Sequence, residues 1–204
     1  MKDLIIVGHS GFAQEIKWLV DRINAEEKKW DFIGYIDQVS DDEVIGNDEY
    51  VLKIRKDTDV VIAIADGRIR KKLYKMYAQN KNLMFPSIID PSVIYAESIQ
   101  MGIGNIICAG NILTVSVSLG DFNIINLDCT VGHEATIEDF ITMNPSVNVS
   151  GNALIEEGVC IGTGAQVLQG IKIGKNSIVG AGAVVTKNLP EACTAVGVPA
   201  KVIK

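Results

Sequence analysis

The chain has 204 residues, 48% of them apolar, with 25 acidic against 19 basic side chains and a net charge of −6. This is enough apolar content for a substantial core in one compact, soluble protein with room for two subdomains, and it excludes intrinsic disorder. The acidic balance argues against a general nucleic-acid binder, and no stretch is apolar for long enough to insert into a membrane.

Met1-Lys2-Asp3 runs straight into an apolar segment with no signal-peptide pattern, so the cytoplasm is the expected compartment. Cys108, Cys129, Cys160 and Cys193 are far apart and form no C-x-x-C pair, so buried reduced thiols are expected rather than a disulfide framework or zinc knuckle.

Residues 1–88 read as alternating strands and helices. Leu4-Ile5-Ile6-Val7 is a continuous apolar run ending at Gly8, and Phe12, Ile16, Leu19, Val20 and Ile23 have helical spacing. A second strand is expected through Phe32-Ile33-Gly34-Tyr35-Ile36 to Asp37 and a third through Val60-Val61-Ile62-Ala63-Ile64. A charged helix from Arg68 to Gln79 then precedes Leu83-Met84-Phe85. The sum is a small parallel, Rossmann-like α/β unit whose binding crevice lies beyond the carboxyl ends of its strands.

The turn Gly8-His9-Ser10-Gly11-Phe12 sits at such an end. It is open to two readings, an ordinary tight turn or a cradle of backbone amides for a phosphate, and it lacks the full G-x-G-x-x-G spacing. Asp37 ends the second strand, either as a solvated turn residue or as an acceptor for a ribose or base. Ala65-Asp66-Gly67-Arg68-Ile69-Arg70 forms another loop beside the same crevice. Phe85-Pro86-Ser87-Ile88-Ile89-Asp90-Pro91, with two prolines, marks the transition into residues 89–204.

From Met101 to Val185 every sixth residue is aliphatic, without exception over fifteen positions, and the next residue is often glycine. A six-residue period cannot be a helix face, but it suits a short strand and a turn repeated into stacked coils with an apolar interior. At three hexads to a coil the run makes about five coils, above the minimum of about three that such a stack needs.

Within the repeat His133 falls at a corner, two residues after the in-phase Val131, where the interior is already taken by aliphatics. Two readings remain: a surface or subunit-interface histidine, or a general base, the role best suited to an imidazole near neutrality. Glu134 follows directly, and at a corner its carboxylate can fold back to orient the ring. No metal site is expected, since zinc needs at least three protein ligands and His133 has no histidine partner in the repeat.

The turn at residues 8–12, Gly34-Tyr35-Ile36-Asp37, the loop at residues 64–70, Val131-Gly132-His133-Glu134, the hexads and the closing Gly197-Val198-Pro199-Ala200-Lys201 occur together in this order. In this the chain resembles, over essentially its whole length, the NeuD/PglD-type bacterial sugar acetyltransferases. The resemblance implies a left-handed parallel β-helix behind the α/β unit, a homotrimer, acetyl-CoA along the groove between subunits, and a nucleotide-linked sugar, UDP-linked as first choice, on the front domain. It implies His133 as catalytic base, Glu134 as its partner, Asn126 near the histidine, and the Gly151 amide holding the acetyl carbonyl. Thr142 belongs with the acetyl-binding positions, although many relatives carry a second histidine there, and Asp90 likewise replaces a family histidine. Gly162, Thr163, Gly180, Ala181 and Lys201 match the CoA side. Gly8, His9, Ser10, Gly11, Phe12, Asp37, Ala65, Asp66 and Arg70 match the nucleotide side, with Gln38 standing where relatives often have a second aspartate.

N-acetylation of a deoxy-amino sugar is the leading expectation and O-acetylation, for example of a sialic acid, the close alternative. A non-catalytic solenoid with a nucleotide-sensing head is the rival from another class.

Overall fold

A computed structural model describes residues 1–39 and 41–204. Its front unit contains β1 (Lys2–Val7), α1 (Gly11–Glu26), β2 (Trp30–Ile36), β3 (Val44–Gly46), α2 (Asp48–Leu52), β4 (Thr58–Ile62), α3 (Gly67–Tyr77) and β5 (Leu83–Met84). The five strands form one parallel sheet in the order β3-β2-β1-β4-β5. Four consecutive buried residues, Leu4 to Val7, place β1 at its centre with helices on both faces.

Two details depart from the sequence reading. The third strand starts earlier and stops at Ile62, because Ala63 and Ile64 leave the sheet to begin the crevice loop. The short pair β3 and α2 was not anticipated, since the three half-buried residues of β3 show no alternation.

From Ile88–Ile89 to Val184–Val185 two-residue strands recur every six residues and pair with partners eighteen residues away, as in Ile112↔Thr130 and Leu113↔Val131. The repeat therefore begins twelve residues before Met101, with Ile89 and Tyr95 already in phase. Three parallel sheets close a prism, and the second residue of each pair faces inward: Leu113, Val131, Val149, Val167 and Val185 are each at most 1% exposed.

Every sixth residue from Gly104 to Gly182 has φ between +54° and +79°. Each is a corner. A non-glycine residue there, Glu134 among them, adopts a left-handed conformation that costs about 1–2 kcal/mol. Backbone bonds to the coils above and below offset it.

The front unit docks on one face of the prism. The outward row Ile88, Ile106 and Ile124 lies under α1 and is at most 1% exposed, whereas Ile178, further along the same row, is 49% exposed. On the other side of this contact Phe122 and Phe140 stack with ring centroids 5.5 Å apart, and Tyr74 of α3 lies 4.2 Å from Phe122. A methyl on Gly67 would run into the Phe140 carbonyl, so the N-terminus of α3 approaches the coil backbone to backbone.

An ion pair closes the junction. Arg22 of α1 donates to both oxygens of the buried Asp90, at 2.6 and 3.0 Å, and Ser92 adds two further bonds. Burial pushes the Asp90 carboxyl up, but the bonds from Arg22 and Ser92 outweigh it and hold the group below the usual carboxylate range. With the folded value below the unfolded one, this stabilisation is present above the unfolded pKa of about 3.9 and is lost as pH falls through the folded value.

Arg22→Ala strands the carboxylate and should lower the melting temperature by several degrees at neutral pH. Because protonating Asp90 removes the stranded charge, the gap to the wild type should narrow as pH falls. Melts between pH 7 and pH 3 check this, and a gap independent of pH would refute it.

Candidate active site

His133 stands at a corner of the β-helix with its side chain 51% exposed. Its ring lies flat on the coil above: a methyl on Gly151 would sit 2.5 Å from Nε2, 2.6 Å from Cε1 and 2.9 Å from Cδ2. The eighteen-residue register stacks Gly151 on His133, and only glycine leaves room there for the ring. Gly151 is buried, and its amide has no hydrogen-bond partner among the described residues. Glu134, at φ +60°, folds back so that Oε2 stands 3.1 Å from His133 Nδ1. The corner geometry makes this contact between sequence neighbours, which a flat strand would point to opposite faces.

The residues expected on the CoA side gather on a second edge. A methyl on Gly162 would lie 2.5 Å from the amide nitrogen of Ala181, one on Gly180 would lie 2.7 Å from Val196 Cγ1, and Val196 pairs with Lys201. The Gly182 amide donates to Thr163 O at 2.8 Å. Asn126 belongs to this edge too, its Oδ1 accepting from the Leu127 amide at 2.7 Å. Within one chain neither Asn126 nor the CoA-side residues meet His133, because the face carrying strand Thr130–Val131 separates the two edges. That face exposes Ile94 at 65% and Ile112 at 39%. The third edge carries Phe122, Phe140 and Glu157 and is covered by the front unit, with Lys71 paired to Glu157.

At the crevice, the turn after β1 packs on the loop after β4. Gly8 has φ +104° and a methyl there would lie 2.9 Å from Ile64 Cδ1 and 3.1 Å from Ala63 O. Asp37 Oδ2 accepts from the His9 amide at 2.9 Å, so the carboxylate shapes the turn. Ser10 stands at the start of α1 without a side-chain cap bond, Gly11 has open space around it, and Phe12 packs into the sheet cluster. The His9 ring turns away from the turn, 4.9 Å from Tyr35, with Nε2 buried at 3.7 Å from Asp41 and 3.8 Å from Glu43.

Asp66 caps α3 and is held down to about pKa 2, chiefly by the Arg68 guanidinium and then by the Arg68 and Ile69 amides.

Two expected ligand residues are placed elsewhere. Arg70 is 1% exposed, and its guanidinium donates to the carbonyls of Ile64, Ala65, Phe122 and Ile141 and to Thr142 Oγ1. Burial lowers its pKa to about 10, so it stays charged at neutrality. Thr142, at 4% exposure, donates to Ala65 O at 2.7 Å and faces the domain junction. Ala65 correspondingly offers its carbonyl to these two side chains. The signal for this junction was present as the eighteen-residue row of Ile88, Ile106, Ile124 and Thr142, which marks one outward face as covered.

All four cysteines are free. Among the described residues no helix is long and apolar enough to cross a membrane.

Comparison with known proteins matches this two-part structure. Residues 3–77 match the PglD N-terminal domain and residues 152–187 the bacterial transferase hexapeptide with six repeats. PerB from Caulobacter crescentus, solved with CoA and GDP-perosamine, is similar at 27% identity and a TM-score of 0.90, over 100% of this chain and 98% of that one. The acetyltransferase domain of PglB from Neisseria gonorrhoeae FA1090, in complex with acetyl coenzyme A, is similar at 26% identity and a TM-score of 0.90, over 99% of both chains. WeeI from Acinetobacter baumannii AYE gives 29% identity and a TM-score of 0.89 over 100% of both chains. No curated protein matches the chain in sequence.

The class is thus a hexapeptide-repeat protein, a Rossmann-like unit on a left-handed parallel β-helix. Within that class the chain is of the NeuD/PglD type.

Proposed function

We propose that this chain is an acetyl-CoA-dependent N-acetyltransferase of the cytoplasm, acting on the amino group of a nucleotide-linked deoxy-amino sugar, with a UDP-sugar as first choice. The observation that carries the reading is the His133 ring lying on Gly151 with Glu134 behind it, in a chain similar from end to end to PerB holding CoA and GDP-perosamine. Four unpaired cysteines fit a reducing compartment.

In this reading the sugar amine attacks the thioester carbonyl while His133 Nε2 takes its proton, and Glu134 stabilises the imidazolium through Nδ1. The unpartnered Gly151 amide donates to the oxyanion. Collapse breaks the C–S bond, and the imidazolium returns the proton to the departing CoA thiolate. No acetyl-enzyme forms. Cys108, Cys129 and Cys193 are buried, and burial pushes the first two thiols up to about 12 and about 11, far from a working nucleophile.

The acceptor binds in the crevice lined by residues 8–12, Asp37 and the loop at 65–66, where amides at the start of α1 face the diphosphate.

Because His133 and the CoA-side residues occupy different edges of one prism, a complete site needs a neighbour. A homotrimer joins one subunit's His133 edge to the next subunit's Gly162, Thr163 and Ala181, and it covers Ile94 and Ile112. Light scattering should give three times the chain mass, and a monomer at working concentration would refute this.

The activity is tested with a panel of UDP-, GDP- and CMP-linked amino sugars plus acetyl-CoA, followed by thiol release. One amino sugar should be acetylated at nitrogen. A sialic acid accepted in preference would move the reaction to oxygen, and no release with any acceptor would refute the reading.

A further inference from the structure

Among the described residues Arg70 heads the largest fully buried side chains, and no carboxylate pairs with it. A buried charge held only by neutral groups is costly, so the contacts it makes matter. They span two domains. Nη1 bonds Ile64 O and Ala65 O, both at 2.8 Å, in the crevice loop, while Nε and Nη2 bond Phe122 O at 3.0 Å and Ile141 O at 2.8 Å in successive coils.

Thr142 completes the joint, accepting from Arg70 Nη1 at 2.9 Å and donating to Ala65 O at 2.7 Å. Thr142 lies on the coil that carries His133, one side of the prism further along the chain. Close backbone contact at Gly67 and Phe140 leaves the loop no slack.

We propose that Arg70, with the Thr142 hydroxyl, is a positioning residue that sets the height of the crevice loop at residues 64–67 against the coil bearing His133. The proposal rests on the crevice being the acceptor site. The loop is one wall of that crevice, so its height along the stack sets where the sugar amine meets the base. In a trimer coaxial with the stack, a neighbour's His133 lies at the same height, so the device works whichever subunit supplies the base. Arg70 suits this role because a guanidinium presents five donors in one rigid plane, which an ammonium cannot.

The test is steady-state kinetics of Arg70→Lys, Thr142→Val and Thr142→Ser with the acceptor selected from the panel, alongside calorimetry of acetyl-CoA binding and thermal melts. Arg70→Lys should lower kcat by about 10²-fold and Thr142→Val by about tenfold, the size expected for an ångström-scale misplacement. Acetyl-CoA affinity should stay within about twofold, and Thr142→Ser should recover most of the loss, since it restores the hydroxyl.

If Arg70→Lys fails to fold, the valine and serine pair still decides. Variants that melt earlier but keep wild-type kcat, or a serine variant no better than valine, would overturn the positioning role and leave the proposed activity standing. A wild type inactive on the whole panel would instead overturn the proposed activity, and this inference with it.

Discussion

His133→Ala is expected to lower turnover by roughly 10²–10⁴-fold, the usual size of general-base catalysis, while acetyl-CoA affinity changes little. The fold should survive, because the side chain is half exposed and its carbonyl, which accepts from the Asn152 amide at 2.7 Å, remains.

Glu134→Gln should cost less. An amide can still accept from Nδ1 but gives up the attraction to the imidazolium, so the loss should be largest where proton transfer limits the rate. Steady-state kinetics of both variants, with initial velocities varied in both substrates, check the scheme. Intersecting patterns belong to direct transfer. Parallel ping-pong lines, a trapped acetylated residue or near-normal turnover in His133→Ala would each refute it.

The parts of the molecule legible in sequence are those whose cause repeats. The in-phase aliphatics can be read because each coil presents the same interior demand every six residues, and the central strands β1 and β4 of the front unit because burial on both faces makes a continuous apolar run. The contact of Glu134 with His133 is legible for the same reason: counting from Val131 puts Glu134 at a corner, where adjacent residues need not point apart.

The row ending at Thr142 marks a covered face, but the bonds that Arg70 and Thr142 make across it are not legible. Nothing within their own segments distinguishes a guanidinium on the wet face of α3 from one inserted between domains, because its partners are main-chain carbonyls up to 71 positions away. The separation of His133 from Asn126, Thr163 and Ala181 follows from assigning each hexad to its side of the prism. Along the chain these residues look like neighbours of one site, yet they fall on two edges. The edge strand β3, three residues long and half-buried throughout, has neither alternation nor an apolar run to announce it.

Gly151→Ala offers the sharpest separation of site from scaffold. Gly151 is not among the residues with positive φ, so alanine suits its backbone, but the added methyl would sit 2.5 Å from His133 Nε2. A contact that short cannot persist, and the mobile partner is the half-exposed imidazole, which swings outward while the coils stay stacked. The protein should therefore melt within a few degrees of the wild type and lose about 10²-fold in turnover, as a displaced base does.

The amide of residue 151 survives the substitution, so the loss should come from the ring alone. Combining the two changes tests that: in a His133→Ala background the extra methyl has no ring to displace and should cost little more, giving strong non-additivity. If Gly151→Ala lowers turnover by the same factor with and without the imidazole, the methyl is obstructing the acetyl group instead. If it leaves turnover intact, the ring lying on Gly151 is not the arrangement that performs proton transfer.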